Sequence, residues 1–160
     1  MNIFYLHENP EICAEYHCDK HVVKMILETA QMLSTAHRII DGDKWANDVG
    51  LYKMAHKNHP STIWTRRSAN NYEWLYHHFV ALSKEYTKRY GKEHLSYTKC
   101  KDKVNLLPGG LAWSGLTEMP QCMPDEYKDK CSIQAYWNYY IGEKHSVANK
   151  NEKIYEKRPY

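Results

Sequence analysis

A chain of 160 residues with a net charge of +3 is sized for one domain with a real core, and it tolerates a polyanionic partner without requiring one. The hydrophobic fraction of 42% is modest, while aromatics reach 13%, mostly Tyr (14) and Trp (5), which are rings with polar tips. No apolar run approaches the length of a membrane-spanning helix. Five cysteines, at 13, 18, 100, 122 and 131, are odd in number and follow no disulfide framework. With no signal peptide read at the start, they point to a reducing, intracellular setting.

Residues 1–6 (MNIFYL) read as a short extended segment that begins at the first residue. Asn2 is too large for efficient removal of the initiator methionine, so Met1 is expected to stay. From Asn9 to Ile40 the pattern predicts one long amphipathic helix. Asn9 is a capping side chain, and Pro10 loses nothing at the first helical position. Ile12, Tyr16, Val23, Ile26, Ala30, Leu33 and Ile40 line up one apolar stripe, which Asp19 and His37 interrupt. A carboxylate on that side must be paired or protonated.

A second stripe lies nearly opposite: His17, His21, Lys24, Glu28, Gln31 and Thr35. His21 and Glu28 project from one side, two turns apart, with Lys24 between them. A base, an amine and an acid on one face form a candidate reaction surface; a solvated helix face would present the same residues.

Asp41-Gly42-Asp43 reads as a turn, and Trp45 to Met54 as a shorter helix that Gly50 weakens. A second long helix is expected from Pro60 to Tyr90, closed by Gly91. Its stripe runs through Trp64, Leu75, Phe79, Leu82, Tyr86 and Tyr90 and is interrupted by Asn71. Arg66, Arg67, Asn70 and His77 lie off the stripe, as phosphate contacts or as a solubilising face. Residues 106–127 hold three prolines and three glycines and no period, and a loop that long is more often functional than idle. Helix returns from Ser132 to about Ala148, and a polar, basic tail (NEKIYEKRPY) closes the chain. The fold class is therefore all-α: a single domain with two long helices, a C-terminal helix, a short extended N-terminus and long loops.

Two sites can be weighed from spacing alone. Cys18 with His21, and His56 with His59, are three apart and would suit a tetrahedral zinc, but no CxxC or HExxH signature accompanies them. Pro108-Gly109-Gly110 lacks the Lys-Ser/Thr of a phosphate loop. No cysteine sits in a recognisable catalytic context.

Asp19-x-His21 followed by Glu28, beside a structured N-terminus and with His59-Pro60 opening a second long helix, resembles the phage endonuclease V family of pyrimidine dimer DNA glycosylases. The stretch YHCDKHVVKMILETAQ also resembles proteins of phages and large viruses, which would place the protein in a host cytoplasm. The endonuclease V resemblance covers about the first 90 residues. It implies a small helical glycosylase without cofactor or metal, acting on double-stranded DNA as a monomer. The α-amine of Met1 would attack the sugar carbon C1′, Glu28 would assist, and the resulting imine would permit β-elimination. An α-amine titrates near pH 8 in general, so a useful fraction is neutral at physiological pH. His21, Lys24 and Asp19 complete the implied catalytic set, with His21 orienting the sugar or a phosphate and Asp19 more suited to holding a neighbouring segment. His59, Arg66, Arg67 and Asn70 are the candidate nucleic-acid contacts. Trp64 and Trp113 are the candidate stacking residues for a distorted or flipped nucleotide.

Departures from the family pattern stand beside the match. Arginines that the family places next to and just after the glutamate are here Leu27 and Gln31, and Met1 replaces a small first residue. Those changes put the pyrimidine dimer in question as substrate. They leave open a DNA-base modification enzyme on the same scaffold, and a non-enzymatic nucleic-acid-binding module stabilised by zinc.

Overall fold

The break between the first two helices shapes the molecule. In a computed structural model, which describes residues 1–143, α1 spans Pro10–Glu15 and α2 spans Asp19–Asp41. The unbroken helix expected over 9–40 is thus two. Asn9 caps α1 as the sequence indicates, its side chain accepting the amides of Glu11 and Ile12 at 2.9 and 3.2 Å. No glycine or proline marks the break at 16–18; a distant arginine does. Arg89 donates to the carbonyls of His17 (2.9 Å) and Glu15 (3.2 Å), serving groups that a continuing helix would have bonded itself. The same guanidinium holds Asp19 at 2.9 Å, in the first turn of α2. Asp19 therefore ties the break to a neighbouring helix.

The break also rotates the stripes. Val23, assigned to the core from an unbroken register, is 40% exposed, whereas Val22, Met25, Ile26, Ala30 and Leu33 are buried. From the opposite stripe, His17, His21 and Thr35 are buried too. The polar stripe is not a solvated face.

Helix α3 covers Asp43–Val49, and Gly50 ends it in the left-handed region at φ 79° rather than lying inside a helix running to Met54. The second long helix is likewise split, into α4 (Pro60–Thr65) and α5 (Ala69–Tyr90), with Gly91 closing α5 as expected at φ 75°. Asn71, the interruption in its stripe, explains this second break. Its Nδ2 donates to Trp64 O and to Thr117 Oγ1, each at 2.8 Å, and its Oδ1 accepts Thr117 N–H at 2.9 Å. Ser68 caps α5 through the Asn71 amide and donates its hydroxyl to Gly115 O at 2.9 Å. The long loop is thereby pinned along the α4–α5 junction.

A short helix not foreseen, α6, covers Leu95–Cys100, and α7 covers Ser132–Gly142. The expected run of α7 to Ala148 and the polar tail extend beyond the described residues. Among the described residues there is no strand, so the fold is all-α. None of their helices is long and apolar enough to cross a membrane.

One core unites these helices, with Leu6, Ile26, Leu33, Leu75, Phe79 and Trp137 fully buried. The N-terminal segment is part of that core. Ile3, Phe4 and Leu6 are buried, each stabilising the segment by about 1.5–3 kcal/mol if it would otherwise be exposed. Trp137 Nε1 donates to Leu6 O at 2.9 Å. Asn2 donates to Cys122 O at 3.0 Å, and its Oδ1 lies 3.0 Å from the Tyr136 hydroxyl. The first residue is held by its successors on both sides, instead of fraying.

Candidate active site

Five elements meet at a cleft of about 270 Å³: the N-terminal segment, α2, the start of α4, the long loop and α7. Its lining includes Met1, Phe4, His21, Lys24, Glu28, His59, Cys122 and Tyr139. Size does not single it out, since a cleft among Glu11, Glu15, His77, Lys84 and Glu85 measures about 260 Å³. Chemistry does. The α-amine of Met1 lies 3.0 Å from Glu28 Oε1, with the Met1 side chain buried and the Glu28 side chain only 12% exposed. Glu28 Oε2 is buried and has no hydrogen-bond partner among the described residues, with Lys24 Nζ 3.8 Å away. At 70% exposure Lys24 stands at the mouth, where a pair that long contributes little to stability.

His21 is locked from two sides. Its Nδ1 lies 2.7 Å from the Tyr140 hydroxyl, and its ring stacks on Phe4 at 4.3 Å between centroids. His59 sits across the cleft from α2. Its Nδ1 accepts the Ser61 amide at 3.1 Å, capping α4. Burial, the Met1 amine and His56 hold its pKa below the ordinary imidazole value, outweighing the pull of Glu28.

Of the catalytic residues expected from sequence, Met1, His21, Lys24 and Glu28 therefore share one cleft, with His59 beside them, while Asp19 faces Arg89. The remaining nucleic-acid candidates are dispersed. Asn70 Oδ1 accepts the Gly115 amide at 2.9 Å and serves the loop. Arg67 is exposed beside Glu118 and Pro120. Arg66 is half-buried, and its Nη1 is without a hydrogen-bond partner among the described residues. Trp113 projects from the loop at 59% exposure. Trp64 is buried against Trp74, its Nε1 donating to Thr117 O, so the expected stacking ring is a core ring. Asn2, Phe4, Cys122 and Tyr139 went unassigned; the hydrophobic run of residues 3–6 was a signal for Phe4, and nothing local marks Cys122.

The zinc set weighed from spacing does not cluster among the described residues. Cys18 is buried at the start of α2, its amide donating to the Tyr140 hydroxyl at 3.1 Å, while His56 is exposed. Among the described residues the Cys and His ligand atoms that cluster are those of Cys13, His17 and His78. There the Cys13 thiol already donates to Phe4 O at 3.2 Å and accepts Leu6 N–H at 3.3 Å.

The two histidines of that trio predict an acid-sensitive fold. Burial pushes His78 down to about 4 from the usual 6.5, and burial, His78 and His21 hold His17 well below it. Both rings are neutral in the folded protein. Below about pH 6.5 the unfolded chain binds protons that the folded chain refuses until about pH 4, so stability falls as pH falls through that window. Above it these rings add no pH dependence. Urea midpoints should drop between about pH 7.5 and pH 5, and His78→Gln should flatten that slope. An unchanged slope would show that the rings are not the cause.

The fold and the cleft define a class: a small all-helical protein that sets its own N-terminal amine against a helix carboxylate. Residues 1–98 match the family model described as pyrimidine dimer DNA glycosylase, and the chain belongs to that family. No curated protein and no solved structure matches it. Membership carries a DNA substrate and glycosylase chemistry of the pyrimidine dimer type. Cys122 and Tyr139, which complete the cleft, lie beyond the matched residues.

Proposed function

We propose that the protein is a DNA glycosylase with abasic-site lyase activity, acting as a monomer on double-stranded DNA through an imine to the Met1 amine. The observation that carries this reading is the 3.0 Å contact between that amine and Glu28 inside the cleft. Proton transfer from the ammonium to Glu28 yields a neutral amine and a carboxylic acid. The amine lone pair forms a bond to C1′ while the glycosidic bond breaks, its electron pair leaving with the base. The base takes the proton held on Glu28. The carboxylate then removes a proton from the C1′-bound ammonium and returns it to O4′ as the sugar ring opens to the imine. Loss of a C2′ proton and departure of the 3′ phosphate complete β-elimination. His21, clamped by Phe4 and Tyr140, is placed to hold the sugar or a phosphate in register. Holding the nucleotide in the cleft requires distorting or flipping it, a cost of a few kcal/mol that stacking and basic contacts offset.

Borohydride reduction in the presence of a duplex carrying one abasic site tests the reading. A covalent protein–DNA adduct is expected, and acetylation of the N-terminus should abolish it. Absence of an adduct under every condition would sink the lyase chemistry. Leu27 and Gln31, where the family carries arginines, favour one second reading, a base-modifying enzyme on this scaffold. It predicts base exchange or alteration with the DNA backbone left intact.

A further inference from the structure

His59 presents a chemistry that the amine–carboxylate pair does not supply. Its Nδ1 is committed as the acceptor of the Ser61 amide at 3.1 Å. A nitrogen that accepts an N–H carries no proton, so in the neutral ring the hydrogen is on Nε2. Nε2 has no partner among the described residues, and the ring lines the cleft beside Met1 and Glu28. The α4 cap thus fixes the tautomer, and the helical turn behind it fixes the ring's orientation. The facing charged groups work in opposite directions. The Met1 amine and His56 disfavour an imidazolium here, Glu28 favours it, and burial decides for the neutral ring.

When the glycosidic bond breaks, its electron pair passes to the base and spreads to the ring carbonyl oxygens. Lys24, at the mouth and 70% exposed, faces solvent, and the one proton held on Glu28 serves a single atom of the base, which leaves charge on the other ring oxygen to be met by a second donor. We propose that His59 is a catalytic residue for base departure: a neutral imidazole whose Nε2–H donates a hydrogen bond to the carbonyl oxygen of the leaving pyrimidine without giving up its proton. Such a fixed donor, aimed where charge develops, needs no reorganisation in the transition state. The assignment rests on the glycosylase reading above and concerns a single step of it. It also gives His59 a role other than the general nucleic-acid contact expected of it from sequence.

His59→Asn tests the proposal, because an asparagine at this position keeps the cap on α4 while removing the far ring N–H. Two probes are used, a duplex carrying one cis-syn thymine dimer and a duplex carrying one abasic site. On the dimer, single-turnover base release should fall about 10²-fold, the usual effect of removing one such donor. On the abasic site there is no base to expel, and the borohydride-trapping rate should change little. Equal losses on both probes would make His59 a DNA-gripping or structural residue and overturn the proposal, as would no loss on either. Wild-type protein that traps the abasic site but leaves the dimer untouched overturns the assignment and spares the lyase reading. Wild-type protein inactive on both overturns the function itself.

Discussion

Glu28→Gln should lower borohydride trapping and strand scission on abasic DNA by about 10²–10³-fold while leaving the fold intact. The amide oxygen of Gln can still accept a hydrogen bond from the Met1 amine, so the 3.0 Å geometry has an uncharged replacement. What the substitution removes is the ability to take the amine's proton and return it to O4′. The loss should therefore appear in the rate of the covalent step and not in DNA affinity, a division that single-turnover kinetics beside a binding isotherm resolves. Among the described residues Glu28 Oε2 has no hydrogen-bond partner, so the substitution takes an acceptor from no neighbouring donor there. Trapping at the wild-type rate would remove Glu28 from the chemistry.

Adding a single glycine ahead of Met1 should be at least as damaging. One residue displaces the amine by about 3.8 Å, and misplacement of a reacting group by as little as about 1 Å can cost about 10²-fold. The chain cannot slide to compensate. Asn2 is bonded to Cys122 and lies against Tyr136, Phe4 is stacked on His21, and Leu6 is bonded to Trp137. Trapping and scission should fall at least about 10²-fold, with an unchanged helical circular dichroism spectrum as the sign that the fold survives. Full activity in the extended protein would mean that another amine is the nucleophile, with Lys24 the first to examine.

Helix content, the Asn9 and Gly91 caps, and the shared face of His21, Lys24 and Glu28 were legible in the chain, because capping chemistry and seven-residue spacing are local properties; that Met1 joins them was implied only by the family resemblance. Both helix breaks were not. Neither 16–18 nor 66–68 contains glycine or proline, and each is stabilised from far along the chain, by Arg89 in one case and by the Asn71–Thr117 pairing in the other. A stripe read across such a break loses its phase, which is why Val23 was assigned to the core and the buried His17 to the stripe opposite it. Trp64 shows the same limit. Its indole N–H is satisfied by a loop carbonyl 53 residues away, and only the fold reveals that. His59 was legible as a residue near a helix start, but the cap that fixes its tautomer follows from the conformation of the Pro60–Thr65 turn.

The most direct test of the central claim is peptide mapping by mass spectrometry of the borohydride-trapped protein–DNA adduct. The α-amine held against Glu28 predicts one modified peptide, the N-terminal one, with the deoxyribose fragment on the nitrogen of Met1. An adduct on a lysine side chain, Lys24 above all, would contradict the assignment of the nucleophile.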